Sequence, residues 1–593
     1  MTPEETRRQN SLETREEAAK IAFTRNTPAQ TQNVNGDEAI ARRAMSYTKG
    51  LAHDYANGLL QQDADFVQFV QGIDTGDPQD FINTHLGPRP ANDWKSPLGQ
   101  SVDTVRAWES QAAGLTYDLE GPDAQAVAMP PAPNLGSDEL TAEMAEVYAQ
   151  ALLRDIPFSV FDRHARSRRA DEDKAEKILK ILNKLDYFRS GQRNGAPLTL
   201  ENAFRGFTPG DLAGPYLSQF MLTGNRGLNN RNDSTPEFDA SDGMITYGSI
   251  TIDQRVRRAT ADLNFMTNWD EWFDVQNGAD FRGLEEYRGD ARRFITTGRD
   301  LSTYVHYDAL YEAYLNACLL MLDAPLEGNA PKFDPGVPFQ APDVIDHQQG
   351  FANYGGPHIL TLVTEVATRA LKAVRYQKFN VHRRMRPETL AARMERLNNV
   401  KAAIGPGPAS DNFQKMYDDL DASGLFDCLR DENECNLLLP MAFREGSPMH
   451  PSYGAGHATV AGACVTILKA FFNGNLYLKI SEDGDSFSLS EVPADCQYAF
   501  VPNNNGRRLR TVESEPLTVN GELNKIAANI SIGRDWAGVH YYTDYKESLI
   551  MGEEIAIGLL QEQSITYNPL EKLSMGLLKF DGTTVTIKDG QVL

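Results

Sequence analysis

A mainly α protein, built from helical bundles with a few short β-hairpins, is the fold class this sequence predicts. Three observations carry that expectation. Apolar residues recur at three- and four-residue spacing through six long segments, whereas only two stretches alternate as strands do. The chain has 593 residues, 41% of them hydrophobic. That length exceeds what a single core serves, so two or more packed units are expected.

In chain order, residues 1–60 are polar with scattered apolar positions. They read either as an N-terminal arm that wraps a neighbouring subunit or as a partly ordered tail. Residues 61–340 read as a helical N-terminal region. Within it, residues 138–155 (DELTAEMAEVYAQALLRD), 171–186 (DEDKAEKILKILNKLD) and 304–323 (YVHYDALYEAYLNACLLMLD) show helical periodicity. Residues 244–252 (MITYGSITI) read as a short hairpin with Gly248 near its turn. Pro- and Gly-rich connections span 121–136 and 324–343. Residues 341–593 read as the helical bundle region, with helices expected over 358–376, 456–472 and 545–562. A last hairpin is expected over 577–588, closed by Asp581-Gly582.

The net charge of −24 argues against general nucleic-acid binding, and it makes any cluster of basic residues notable. No apolar run is long enough to span a membrane: the longest, Ala461 to Phe472, is short and contains Lys469. The N-terminus lacks the apolar core of a signal peptide. A soluble protein, cytoplasmic by default, is the expectation, with export left open for a mature form. Five cysteines (Cys318, Cys428, Cys435, Cys464 and Cys496) are too sparse for a disulfide scaffold. Free thiols are expected, although Cys428 and Cys435 are close enough in sequence to pair.

Three segments carry candidate chemistry. Lys378 to Pro387 (KFNVHRRMRP) places Lys378, His382, Arg383, Arg384 and Arg386 just after a long apolar helix. Pro387 biases Arg386 away from helical geometry. Cations at a helix end also have an ordinary use, as complements to the dipole. Ser447 to Ala458 (SPMHPSYGAGHA) sets His450 and His457 on either side of a glycine-rich helix start, where free N–H groups make an anion site. Gly533 to Asp544 (GRDWAGVHYYTD) brings Arg534 ahead of an expected helix, with His540 and Asp544 at i, i+4 on one face. There the carboxylate can accept the imidazole N–H and fix its tautomer. Three cations, a helix N-terminus and two or three histidines suit a tetrahedral oxyanion.

The pattern Lys…Arg-Pro, then Gly-His, then Gly-Arg-x5-His-x3-Asp resembles the superfamily that joins type 2 acid phosphatases and vanadium haloperoxidases. Within it, the Lys378 to Arg386 spacing is one residue longer than in the phosphatases and fungal chloroperoxidases. That spacing and the extra His450 are similar to the red-algal and cyanobacterial bromoperoxidases. The resemblance implies a haloperoxidase-like helical fold and a vanadate cofactor, and it allows calcium. It implies that His540 binds vanadium, and that Lys378, Arg386 and Arg534 hold its oxygens with the Gly456 N–H. It also implies that His457 is the acid–base group where peroxide arrives, that Lys378 polarises the peroxide, that His450 tunes the halide site and that Asp544 orients His540. Gln377 is expected to line the halide pocket. One departure stands out: Ala455 replaces the usual serine, removing a hydroxyl for which Ser452 or water could substitute. That loss costs about 1.5–3 kcal/mol if nothing replaces it. The implied partners are hydrogen peroxide, bromide and small organic acceptors, in a homo-oligomer from dimer to dodecamer. A phosphatase of the same superfamily, with His540 as nucleophile, is the alternative. A catalytically impaired oxyanion-binding assembly protein is a third reading.

Overall fold

The structure, a computed structural model, describes residues 2–30, 34–88, 106–163, 168–225, 238–340, 347–433 and 435–593. Among them are seventeen α-helices and twelve short strands. The strands form five separate sheets of two or three strands each, so the helices make the core and the sheets are accessory.

Four helices of the C-terminal region form the bundle that matters for the site: Gly356–Tyr376, Gly456–Phe471, Val519–Trp536 and Tyr542–Gln563. Gly456–Phe471 packs against the other three. Its contact with Tyr542–Gln563 is unusually close because two glycines meet backbone there. A Cβ on Gly462 would lie 2.1 Å from the Leu549 carbonyl oxygen, and one on Gly552 would lie 2.1 Å from that of Thr459. Any side chain at either position would push the two helices apart.

The helices expected over 138–155, 358–376, 456–472 and 545–562 appear as Asp138–Leu153, Gly356–Tyr376, Gly456–Phe471 and Tyr542–Gln563. The expected helix over 171–186 appears as Arg169–Leu182, followed by the short Asp186–Arg189. The segment 304–323 requires correction, because it is two helices, Gly298–Tyr307 and Glu312–Asp323. Asp308 ends the first with extended dihedrals (φ −63°, ψ 146°), and no Gly or Pro announces the break. Both expected hairpins form. Met244–Tyr247 pairs with Ile250–Asp253 around Gly248, and Met575–Leu578 pairs with Thr584–Lys588. Gly582 takes φ +84° in the second turn, a left-handed value that glycine adopts without penalty. Residues 341–343 of the 324–343 connection lie outside the described residues.

Two further hairpins, Tyr477–Ile480 with Phe487–Ser490 and Tyr498–Pro502 with Leu509–Glu513, stand between two bundle helices. Their alternation is short, and the Asp483-Gly484 turn was the available signal. Near the N-terminus, the helix Pro3–Thr24 buries none of its residues. Arg25 ties its end to the bundle through Glu562 and through Gly558 O and Gln561 Oε1, both at 2.9 Å. Residues 44–47 are buried in the body of the protein. The five cysteines are free thiols, including Cys428 and Cys435.

Between Tyr376 and Arg383 the chain makes a π-helical turn, Gln377–His382, closed by Arg383 N donating to Lys378 O at 3.0 Å. Arg383 then takes φ 41°, and Arg386 leaves as the extended cap of Pro387–Glu395.

Candidate active site

The bundle brings the sequence-predicted residues to one of its ends. Lys378 follows the C-terminus of Gly356–Tyr376, and His457 is the second residue of Gly456–Phe471. Arg534 sits in the last turn of Val519–Trp536, and His540 and Asp544 flank the start of Tyr542–Gln563. Arg534 thus belongs to the preceding helix, whereas the sequence placed it only as the approach to the next. His540 and Asp544 do not share a helix face either. His540 precedes the helix, and Asp544 is its third residue. Their bond forms across the cap instead, with His540 Nδ1 2.8 Å from Asp544 Oδ2.

That contact fixes the imidazole. Nδ1 carries the proton and donates it, so Nε2 keeps a lone pair. Nε2 accepts a hydrogen bond from Arg386 Nη1 at 2.9 Å. Behind Asp544 stands a chain of paired charges. Arg384 donates to Asp544 Oδ1 at 2.7 Å, to Thr543 Oγ1 at 2.9 Å and to Glu143 Oε2 at 2.9 Å. The Ser452 hydroxyl also donates to Asp544 Oδ2. Burial alone would raise the Asp544 pKa, but the Arg384 charge and the His540 and Ser452 hydrogen bonds hold it well below the usual carboxylate range. Ser452 is therefore spent on Asp544, a correction to its expected role as substitute for the hydroxyl missing at Ala455.

The front of the site is different: its charges are cationic and sparsely paired. Lys378 is fully buried, and its ammonium donates only to carbonyl oxygens, Pro451 O at 2.8 Å and Ser452 O at 3.1 Å. Burial, then the charges of Arg386 and Arg375, push its pKa well below the ordinary lysine value. Arg386 donates to His450 O (3.0 Å), Val539 O (2.7 Å) and His450 Nδ1 (2.8 Å) as well as to His540. Arg534 gives one N–H to Val305 O at 2.6 Å, and its Nε is buried with no partner among the described residues. Burial, then Arg386, lower its pKa to about 10.

Gly456 opens its helix. The first internal bond there runs from Thr459 N to Ala455 O at 3.0 Å, so the N–H groups of residues 456–458 have no partner inside the helix. A Cβ on Gly456 would come within 3.3 Å of Arg375 Nη1, so this helix start lies against Arg375. Ala455 is the cap residue and offers no side-chain hydrogen bond; its own N–H goes to Ser548 Oγ at 2.7 Å.

Burial lowers the pKa of His450, His457 and His540 alike. For His450 the charges of Lys378 and Arg386 add to burial. Its Nδ1 accepts from Arg386, so Nε2 carries the proton, 3.3 Å from Glu109 Oε2. His457 Nε2 lies 3.1 Å from Asp308 Oδ1, which leaves Nδ1 as the free base.

Sequence reasoning missed Asp308, Arg375 and Glu109. Asp308 was hidden inside an apparently continuous helix. Arg375 falls inside the helix expected over 358–376 and was not singled out; it pairs with Glu109, yet its Nη1 is buried without a partner among the described residues. Glu109 lies in no motif. Gln377 is fully buried. Its amide is saturated by Gln30 Oε1 (3.1 Å), Val127 O (3.2 Å), Met129 N (3.3 Å) and His382 (3.2 Å). Arg383 turns away to Glu38.

The front holds four buried cations, Lys378, Arg375, Arg386 and Arg534, against two facing carboxylates, Glu109 and Asp308. Added to the free helix N–H groups and the Nε2 lone pair, this excess matches the donor set a tetrahedral oxyanion requires. Vanadate therefore fits these residues.

Comparison with known proteins agrees. A family model, the VCPO second helical-bundle domain, matches residues 358–565. The chain is 44% identical to the vanadium-dependent bromoperoxidases of Corallina officinalis and Corallina pilulifera, over 98% of its length and 99% of theirs. It is 30% identical to that of Ascophyllum nodosum, over 95% of this chain and 90% of that one. In fold it is similar to the homohexameric second vanadate-dependent bromoperoxidase of Ascophyllum nodosum, with a TM-score of 0.75 and 24% identity, covering 99% of this chain and 92% of that one. With its helical bundle, its buried cations and these relatives, the chain belongs to the vanadium-dependent bromoperoxidase family.

Proposed function

We propose that this chain oxidises bromide with hydrogen peroxide on a vanadate held by His540 Nε2, yielding hypobromous acid that brominates small organic acceptors. The single observation that carries the reading is the fixed tautomer of His540: Asp544 accepts a hydrogen bond from Nδ1–H and leaves Nε2 with its lone pair among buried cations. Lys378, Arg386, Arg534 and the Gly456 N–H would hold the oxygens. The Arg386 Nη1–H that now caps Nε2 is the donor free to turn to an oxygen once Nε2 is engaged. Bound vanadate supplies Lewis acidity that activates peroxide for attack by halide.

The remaining work falls to the protein. His457, kept neutral by burial and oriented by Asp308, accepts a proton from arriving peroxide at Nδ1 and returns it to the departing product. The buried Lys378 ammonium donates hydrogen bonds to the oxygens it faces and offsets their charge. His450, tied to Arg386 and facing Glu109, stands beside this cavity as the group that sets halide preference.

We also infer a homo-oligomer, supported by the homohexamer named for the structural neighbour. The exposed helix Pro3–Thr24, ending in the 89% exposed Phe23, is the segment offered for it. No helix among the described residues is long and apolar enough to cross a membrane.

Bromination of a phenolic dye with peroxide and bromide, before and after adding orthovanadate, tests the reading. Vanadate-dependent turnover that His540→Ala abolishes is the expected result. Turnover of a chromogenic phosphate ester without vanadate, and no bromination, would replace it with the phosphatase reading.

A further inference from the structure

Outside the oxyanion cavity, three metal-ligating side chains converge from separate parts of the chain. Glu285 lies just before the strand Tyr287–Arg293, and His306 lies in the last turn of Gly298–Tyr307. Glu445 lies in the loop two residues before Ser447. Each offers one ligand atom within 4.8 Å of the other two.

Their hydrogen bonding is incomplete in a telling way. Glu445 is only 5% exposed. His306 Nε2 stands 2.7 Å from its Oε1, and its Oε2 is buried with no partner among the described residues. Glu285 accepts from the Tyr307 hydroxyl at Oε2 (3.0 Å), while its Oε1 is equally without a donor. Two carboxyl groups thus face each other under one imidazole, and one can hydrogen-bond the other only through a proton between them. Buried acceptors without donors cost stability, and like charges repel, so the arrangement calls for a positive species between them.

We propose that Glu285, His306 and Glu445 form a binding site for a divalent transition-metal cation of the Zn2+ class. One imidazole and two carboxylates are a ligand set that Zn2+ accepts, with a fourth position left for water. Ligands at 2.0–2.2 Å from Zn2+ stand roughly 3.3–3.5 Å apart, so the wider pairs need close by only about an ångström, while His306 Nε2 and Glu445 Oε1, now 2.7 Å apart, open slightly. His306 is stacked on Phe443 with ring centroids 3.8 Å apart, which holds the imidazole in place. Glu285 is half-buried, so the site keeps a way in from solvent. Arg106, Arg534, Arg282 and Lys49 are nearby cations that oppose an ion; Arg282 is paired with Asp280 and Lys49 with Glu388. Arg106 is committed to the Glu445 and Ser447 carbonyls at 3.3 Å, and Arg534 to Val305.

Without an ion, a proton shared between the Glu285 and Glu445 carboxyl groups stands where the cation would, so proton and cation compete for the same oxygens. Binding displaces it: the cation enters, Glu285 becomes a carboxylate ligand, and the proton leaves to solvent.

The site does not depend on the oxyanion reading, and its test keeps the two apart. Vanadate-loaded protein, dialysed free of excess anion, is titrated with Zn2+ and the bound metal is counted. Crystals soaked in Zn2+ are measured at the zinc absorption edge. One ion between the three residues is expected. Glu285→Gln and His306→Gln should each weaken it by more than about tenfold with an unchanged far-UV spectrum. An anomalous peak found only elsewhere, or equal Zn2+ affinity in the parent and both variants, overturns the proposal. Should either variant fail to fold, the anomalous map of the parent protein decides.

Discussion

The two sides of His540 are built on opposite electrostatic plans. Behind it, Asp544, Arg384 and Glu143 alternate in sign, and Ser452 and Thr543 take up further bonds. In front, Lys378, Arg375, Arg386 and Arg534 outnumber Glu109 and Asp308, and Arg375 and Arg534 each leave an N–H unpartnered among the described residues. The rear is densely paired, one arginine between two carboxylates, so it can fix a tautomer. The front carries unbalanced positive charge that burial makes costly, so it is completed by an anion. One histidine joins the two because its nitrogens are 1,3-related: the proton on one side dictates the lone pair on the other.

Removing the rear cation should give the largest effect. Arg384→Met leaves Asp544 and Glu143 buried without their shared partner, and a loss of about 3–5 kcal/mol in urea unfolding is expected. A loss below about 1 kcal/mol would mean that the rear pairing is not what holds this side together. The front responds to acid instead. His450, His457 and His540 all have depressed pKa values, so the folded protein resists protonation that the unfolded chain accepts below about 6.5. Stability of the vanadate-free protein should be full above that pH and fall as pH drops below it. Unfolding curves at pH 8 and pH 5.5 measure this, and added vanadate should flatten the difference. Equal stability at the two values would show that the histidines already bind protons when folded.

The smallest effect concerns Ala455, where the front lacks a hydroxyl. Ala455 caps its helix with extended dihedrals (φ −88°, ψ 119°) but without a side-chain bond. Ala455→Ser restores a capping oxygen and should add about 1 kcal/mol of stability, with tighter vanadate binding as the accompanying sign. A variant no more stable than its parent would show that Ser548, already bonded to the Ala455 N–H, has taken over the capping role.

Much of this contrast was legible in the sequence, but unevenly. Lys378, Arg386, Arg534, His450, His457 and His540 announced themselves because each sits beside a local irregularity: a Pro, a Gly pair or a helix start. The rear was half visible. Arg384 was noted, but as a helix-end charge, and Glu143 is one of many acidic residues on a regular helix. Asp308 was hidden because a helix can stop without Gly or Pro when tertiary contacts reward the stop, here the bond to His457. Glu109 arrives from more than 250 residues away in the chain and leaves no local trace. The bundle itself was readable from helical periodicity. The close Gly462–Gly552 crossing was not, since either glycine alone is unremarkable.

The π-helical turn at Gln377–His382 also sets which way the two cations point. An extra residue in a regular helix rotates everything beyond it by about 100° and would throw Lys378 and Arg386 to different sides. Here the i to i+5 bond from Arg383 to Lys378 takes the surplus into a single widened turn, and both cations still reach one cavity. The spacing of Lys378 and Arg386 is thus taken up by the backbone in this one turn. Once Arg383, Arg384 and Arg386 have each found partners on the far side of the bulge, deleting a residue would strip three arginines of their contacts at once. The widened turn acts as a shim: it sets the reach of both cations, and the partners of the arginines beyond it hold it in place.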